Sequence, residues 1–233
     1  MERPITKSHF LKVYFDYIGW TFHDNVAFME DGTLSHISPL RITRSQSQVM
    51  IAYHPSIIVD QTKISSEMAN QEIIEVFFGP TIHYLEHQSF VMFSSEGLFL
   101  PNVDGLAIET LPAERKLDLG KLKSVCTKEE VMASQVGLED DFIIGIYHQK
   151  DLLAAGSLWY LGDDLADIHL LTHPKFRSIG LGKILLMSLI NRAFHMEKIP
   201  MVRGNLNDSA AYRVAKTCGL TEALSHFEIE LMQ

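Results

Sequence analysis

Apolar residues recur along this chain with two different periods, and each change of period marks an element. Phe10, Leu11, Tyr14, Phe15 and Ile18 fall three or four apart. That is the spacing of one helix face, and Gly19 stands where such a helix would end. Residues 26–29 and 34–37 read as strands on either side of Asp31-Gly32, a dipeptide that favours a two-residue hairpin turn. Residues 49–53 are apolar throughout and stop before Pro55. Residues 65–78 predict a helix with Ile73, Ile74, Phe77 and Phe78 on one side, closed by Gly79-Pro80. Residues 90–93 predict a short strand.

Residues 94–105 carry Ser, Gly, Pro and Asn, and a loose boundary is placed there, dividing residues 1–104 from residues 105–233. A strand starts at 106–108. Residues 117–136 predict a helix in two pieces. Thr127 with Glu130 forms a capping box for the second piece, because the hydroxyl and the carboxylate each satisfy an orphan amide. Beyond Asp141 three strands follow at 142–147, 152–160 and 166–172, separated by turns at 149–151 and 162–164. A long helix is predicted over 179–196, a short strand over 201–204, and a helix over 209–217 with Gly219 placed to cap it. Phe227, Ile229 and Leu231 alternate with His226, Glu228 and Glu230, which predicts a final strand. There is no internal repeat and no low-complexity tract. The reading is an α/β protein. Its C-terminal part holds a mixed, mainly antiparallel sheet flanked by helices, and a smaller α/β unit precedes it.

Between the third of those strands and the long helix stands Arg177-Ser178-Ile179-Gly180-Leu181-Gly182. Glycines at this spacing allow a tight turn with exposed amides, and the following helix adds its positive end, which together suit a diphosphate. A dinucleotide fingerprint would need glycine at 185, where Leu185 stands. A Walker A loop would need glycine at 177 and Ser or Thr at 184, where Arg177 and Ile184 stand. Both nucleotide readings fail on those residues.

The stretch from Asp167 to Lys183 resembles the GNAT acetyltransferases, whose pyrophosphate loop reads Arg/Gln-x-x-Gly-x-Gly/Ala. The resemblance covers the strand, Pro174, the loop and the helix start, with the flanking strands and helices in the family's order, over about residues 105–233. It implies acetyl-CoA as acyl donor and no metal. It implies that the backbone of Leu170, Leu171 and Thr172 pairs with the pantetheine arm as a neighbouring strand would. Arg177, Ser178, Ile179, Gly180, Leu181, Gly182 and Lys183 would hold the pyrophosphate, and Asn207 or Asp208, near the next helix start, would touch CoA unless they only cap that helix. A splay of the third strand from the fourth would open the slot.

The implied reaction is direct attack of an amine on the thioester. It needs a proton taken from an ammonium, an oxyanion donor and a proton for the thiolate. The family's oxyanion donor is a backbone amide on the strand of Leu171. Its frequent acid, a Tyr four residues before the helix-ending Gly, falls here on Ala215. Tyr212 lies three residues earlier, and packing is the better reading for it. Asp167 and His169 share a strand face by two-residue alternation and are the candidate bases. His83 and His87 read as two surface histidines, since no third ligand accompanies them. Cys218 reads as a packed thiol.

Composition narrows the class further. A net charge of −9 argues against nucleic acid. Two isolated cysteines make neither a disulfide framework nor a zinc site, so a reducing cytoplasm is expected. No apolar run reaches the length of a membrane span, and no secretory leader pattern opens the chain. The expected function is N-acetyl transfer to a small-molecule amine. The alternatives are a protein N-acetyltransferase and a non-catalytic acyl-CoA-binding module. Acceptor, acyl length and oligomeric state, a homodimer included, stay open at this point.

Overall fold

The computed structural model describes residues 4–20, 25–100, 105–111, 116–206 and 209–232. In chain order these form α1 (Lys7–Ile18), β1 (Val26–Glu30), β2 (Leu40–Arg44), β3 (Val49–Tyr53), α2 (Asn70–Phe78), β4 (Tyr84–Phe93), β5 (Ala107–Thr110), α3 (Lys116–Ser124) and α4 (Lys128–Ser134). They continue with β6 (Phe142–His148), β7 (Asp151–Leu161), β8 (Leu165–Thr172), α5 (Leu181–His195), β9 (Ile199–Asn205), α6 (Ser209–Thr217) and β10 (Thr221–Leu231). The strands make one mixed, mostly antiparallel sheet in the order β1-β3-β2-β10-β4-β9-β8-β7-β6-β5, flanked by helices. Strands from either side of residue 104 interleave in it: β10 lies between β2 and β4, and β4 also pairs with β9.

Each face of the sheet is apolar where a helix covers it. Leu185, Leu189 and Ile190 of α5 pack against Ile146, Ala154, Leu158, Ala166 and Ile168, joined by Ala215 of α6 and Phe90 of β4. Ile73, Ile74 and Phe77 of α2 cover Leu40, Ile42, Ile51 and Ile229. On the opposite face α1 places Phe10, Tyr14 and Phe15 over Val91, Phe93, Leu165 and Met201, with the rings of Phe10 and Phe93 stacked at 4.6 Å. Leu119 and Leu122 of α3 cover Tyr147, Leu152, Ala155 and Leu171.

Two expectations are corrected. Asp31-Gly32 does not turn a hairpin. Asp31 Oδ1 accepts bonds from the Thr33 amide (2.9 Å) and hydroxyl (2.6 Å), and Leu34 is buried as a plug instead of continuing a strand. The chain reaches β2 only at Leu40. β2 therefore pairs antiparallel with β3, and β1 pairs with the other edge of β3 in parallel. Helix α2 starts at Asn70, not 65. The Arg44 guanidinium donates to the Met68 carbonyl (2.5 Å), the Ser66 carbonyl (3.4 Å) and Asn70 Oδ1 (2.6 Å), which holds the preceding residues out of helix. Ala69 has no oxygen for the start, so Glu72 alone caps it by accepting from the Ala69 amide at 2.6 Å.

Candidate active site

β8 and β9 run parallel but pair only at Leu165–Ile199, Ala166–Pro200 and Asp167–Met201 among the described residues. Beyond that point Met201 to Asn205 stay in register with β4, while β8 stays with β7 through Thr172. The two strands therefore part as a wedge with its apex at Asp167. The His173 amide donates to the Leu153 carbonyl at 2.9 Å. By antiparallel alternation the backbone groups of Leu171 and His169 also point at β7, and those of Leu170 and Thr172 point into the wedge. An open strand edge thus faces an open slot, the arrangement a linear amide-bearing arm can complete.

At the wide end of β8 a single 3-10 turn, Pro174–Phe176, leads into the glycine loop. Ser178 (φ 63°) and Gly180 (φ 93°) are left-handed, which shortens the predicted helix to a start at Leu181. Alternating backbone hands turn neighbouring amides to one concave side, a nest for an anion. The first α5 bond runs from the Ile184 amide to the Gly180 carbonyl, so the Leu181, Gly182 and Lys183 amides have no acceptor within the helix. A Cβ added at Gly180 would meet nothing within 4 Å, and one at Gly182 only Thr172 Oγ1 at 3.9 Å. The backbone is bare where a diphosphate would lie.

Arg177 faces elsewhere than the sequence suggests. Its Nη1 donates to Glu130 Oε1 at 2.5 Å and its Nε to the Thr172 carbonyl at 3.2 Å. Glu130 also closes the predicted capping box, accepting from the Thr127 amide at 2.9 Å. The Arg177 hydrogen bond, with that of Thr127, holds its carboxyl at about 2. Arg177 thus ties the loop to α4. Asn207 and Asp208 lie outside the described residues.

Asp167 and His169 sit at the apex on the face covered by α1. Asp167 is 1% exposed, and its Oδ2 accepts from Arg203 Nε (2.9 Å) and Nη2 (2.6 Å). His169 Nε2 lies 3.4 Å from the same oxygen, and its Nδ1 lies 3.5 Å from Asp140 Oδ2, a charge contact too long to orient as a hydrogen bond. Asp140 Oδ2 also accepts from the Gly137 amide at 2.8 Å and from the Ser157 hydroxyl. Burial alone would push His169 down, but its two carboxylate partners outweigh it and hold it up at about 9. The ring is an imidazolium at neutral pH. Nothing in the sequence pattern singled out Arg203 or Asp140. Arg203 could have been noticed as a charge within the otherwise apolar start of a core strand.

Tyr212 turns away from the wedge. Its hydroxyl donates to Glu222 Oε2 at 2.8 Å, and its ring meets Phe90 edge-on at 5.1 Å. The bond to that carboxylate pushes its phenol up, so its proton is held tightly. Ala215 is wholly buried, and Cys218 packs beside it in the core. His87 lies on a strand with Nε2 at 2.7 Å from Glu230, outside the helical spacing a metal pair would need.

A sheet parted between two parallel strands, with an amide-lined loop at the mouth of the opening, can take a linear amide-bearing arm that ends in a diphosphate. Residues 112–220 match the acetyltransferase (GNAT) family. No curated protein sequence matches the chain. Among solved structures, an acetyltransferase of the GNAT family from Colwellia psychrerythraea superposes with a TM-score of 0.53 at 15% identity, over 69% of this chain and 62% of its own. A GCN5-related N-acetyltransferase from Sphaerobacter thermophilus gives 0.51 at 11% identity, over 64% of this chain and 53% of its own. The match thus spans less than two thirds of either structure, and at these identities the likeness concerns the fold.

Proposed function

We propose that the protein is an acetyl-CoA-dependent N-acetyltransferase that acts on the amine of a small molecule in a ternary complex. The observation that carries this is the wedge beyond Asp167, with the strand edge of Leu170 and Thr172 on one side and the loop amides at its mouth. Leu170 and Thr172 offer backbone partners to the pantetheine arm, with the Thr172 carbonyl already taken by Arg177. Leu171 points its own backbone at β7 and shapes the slot. The amides of Ser178 to Lys183 hold the diphosphate, and Arg177 fixes the loop from behind. When bound, the thioester supplies the activated acetyl group.

In this reading neither His169 nor Asp167 is the general base. His169 already carries its proton at neutral pH, and Asp167 Oδ2 is committed to Arg203 and His169. The acceptor's proton leaves to solvent in the open wedge. Two unpaired thiols, Cys126 and Cys218, support a cytoplasmic location. The described residues include no helix long and apolar enough to cross a membrane.

Acetyl-CoA is expected to raise the melting temperature well beyond ATP or NAD at equal concentration, because a ligand that binds only the folded state stabilises it by mass action. CoA release is then expected to depend on added amine. Stabilisation by acetyl-CoA with no amine-dependent release would leave a binding module, and stabilisation by NAD instead would refute the loop assignment.

Tyr212→Phe is expected to lower kcat by less than about tenfold, below the ~100-fold scale of general acid catalysis. Its hydroxyl is bound to Glu222, and a thiolate leaving near pH 7 needs no strong acid. A fall of two orders of magnitude at unchanged stability would put Tyr212 back in the mechanism.

A further inference from the structure

The Asp167–Arg203 ion pair crosses the wedge at its apex, from β8 to β9. Arg203 commits Nε and Nη2 to Asp167 Oδ2, and the Tyr14 hydroxyl of α1 lies beside the same guanidinium. The Asp167 side chain is 1% exposed and that of Arg203 43%. One edge of the guanidinium is therefore anchored in the sheet, and the side chain stays partly open at the apex of the wedge.

Among the described residues, Asp167 is the carboxylate that acts most strongly on that guanidinium. Tyr14 and Tyr17 of α1 lie within its field, Tyr17 being 46% exposed. The next cross-strand row on this face is Asn205, Ser89, His226 and Thr43, in register across four strands and without an acidic member. Further along β10, Glu228 is paired with Arg41 and Glu230 with His87. In a chain of net charge −9, this spot offers an oriented guanidinium, phenols and neutral polar groups. It suits an anion. The loop amides already account for the CoA diphosphate at the far end of β8, so this anion belongs to the other substrate.

We propose that Arg203 binds a carboxylate of the acceptor, so that the substrates are amines carrying a carboxylate, with free amino acids the simplest. This rests on the N-acetyltransferase reading above. Asp167 acts as a positioning residue that holds the planar fork in place, and the open part of the fork pairs with the carboxylate. Arg203 is then a specificity-determining residue at the point where the acceptor enters the wedge.

The test compares each of a set of free amino acids with its own primary amide as acceptor. The wild-type enzyme is expected to favour the acid by about 10- to 100-fold in kcat/KM, the range of a hydrogen bond to a charged group. Arg203→Lys keeps the positive charge beside Asp167 but loses the fork. It is expected to shrink the preference to within about threefold, through KM of the acid and with the amide little changed. Equal use of acid and amide by the wild type, or an undiminished preference in Arg203→Lys, overturns the proposal. A second measurement does not require turnover: thermal stabilisation of the wild-type protein, with CoA present, by N-acetyl amino acids and by their amides. If acetyl-CoA binds but no amine releases CoA, the transferase reading fails. The carboxylate site still stands if the acids stabilise more than the amides, and falls if they do not.

Discussion

Gly182→Val is expected to weaken acetyl-CoA binding by about 100-fold, close to 3 kcal/mol, while the unliganded protein melts within a few degrees of the parent. Gly182 lies in the first turn of α5, outside the left-handed region, so a β-branched residue can adopt its backbone. An added Cβ would meet only Thr172 Oγ1 at 3.9 Å, so the fold has room for it. That same room lies between the loop amides and the wedge edge at Thr172, where arm and diphosphate would join. An isopropyl group there fills the ligand's space. Gly180 is a poorer probe. At φ 93° any side chain strains the backbone by about 1–3 kcal/mol, and lost binding would mix with lost stability. Isothermal titration of Gly182→Val beside its melting curve makes the comparison. Parental affinity in that variant would mean that the loop does not cradle the diphosphate.

The elements legible in the sequence are those whose signals are local. Helix α6 begins and ends where Ser209 and Thr217 predict, and Gly219 at φ 80° closes it. The Thr127–Glu130 capping box forms as read, because both partners lie within one turn. β6, β7 and β8 follow their apolar runs to within a residue or two, since burial on both faces leaves little choice of register. Where a distant group competes, the local signal loses. Arg44 reaches 22 to 26 residues along the chain to hold Ser66, Met68 and Asn70, and the start of α2 moves accordingly. Leu34 turns inward, and the Asp31-Gly32 hairpin gives way to a crossover connection.

The candidate site divides along the same line. Gly180 and Gly182 are visible as a motif because a diphosphate loop is a contiguous device. The wedge is a relation between β8 and β9, and the Asp167–Arg203 bond that crosses it joins residues 36 apart. His169 was legible as a titratable group on a strand. Its charge state depends on Asp140, which reaches it from the loop before β6, and no spacing rule connects the two.

Asp167→Asn is expected to lower stability at pH 7 by about 3 kcal/mol, near the lower bound for removing one partner of a buried ion pair. The lower bound applies because Arg203 stays partly open to water. For a chain of this size that is about 6–12 °C in Tm. The pH profile separates this effect from ordinary packing loss. Folded His169 holds its proton to about 9, against 6.5 for the ordinary group, so between those values the folded state binds more protons than the unfolded one. Its contribution is full below pH 6.5 and is lost as pH rises through 9. His226 works with the opposite sign. Its burial, with the charges of Arg41 and Arg203, pushes it down to about 4, so stability grows as pH rises from 4 to 6.5. The parent should therefore show a stability maximum near pH 6.5. In Asp167→Asn the imidazolium keeps only Asp140 as a charged partner. The alkaline fall should still start near pH 6.5 but end at lower pH and be smaller, and the acid limb should keep its shape. Arg203→Gln in the same background should cost less than it does alone, because the two charges are coupled. Parental melting in Asp167→Asn at pH 7, with an unchanged alkaline limb, would show that Asp167 does not hold the charges at the apex of the wedge.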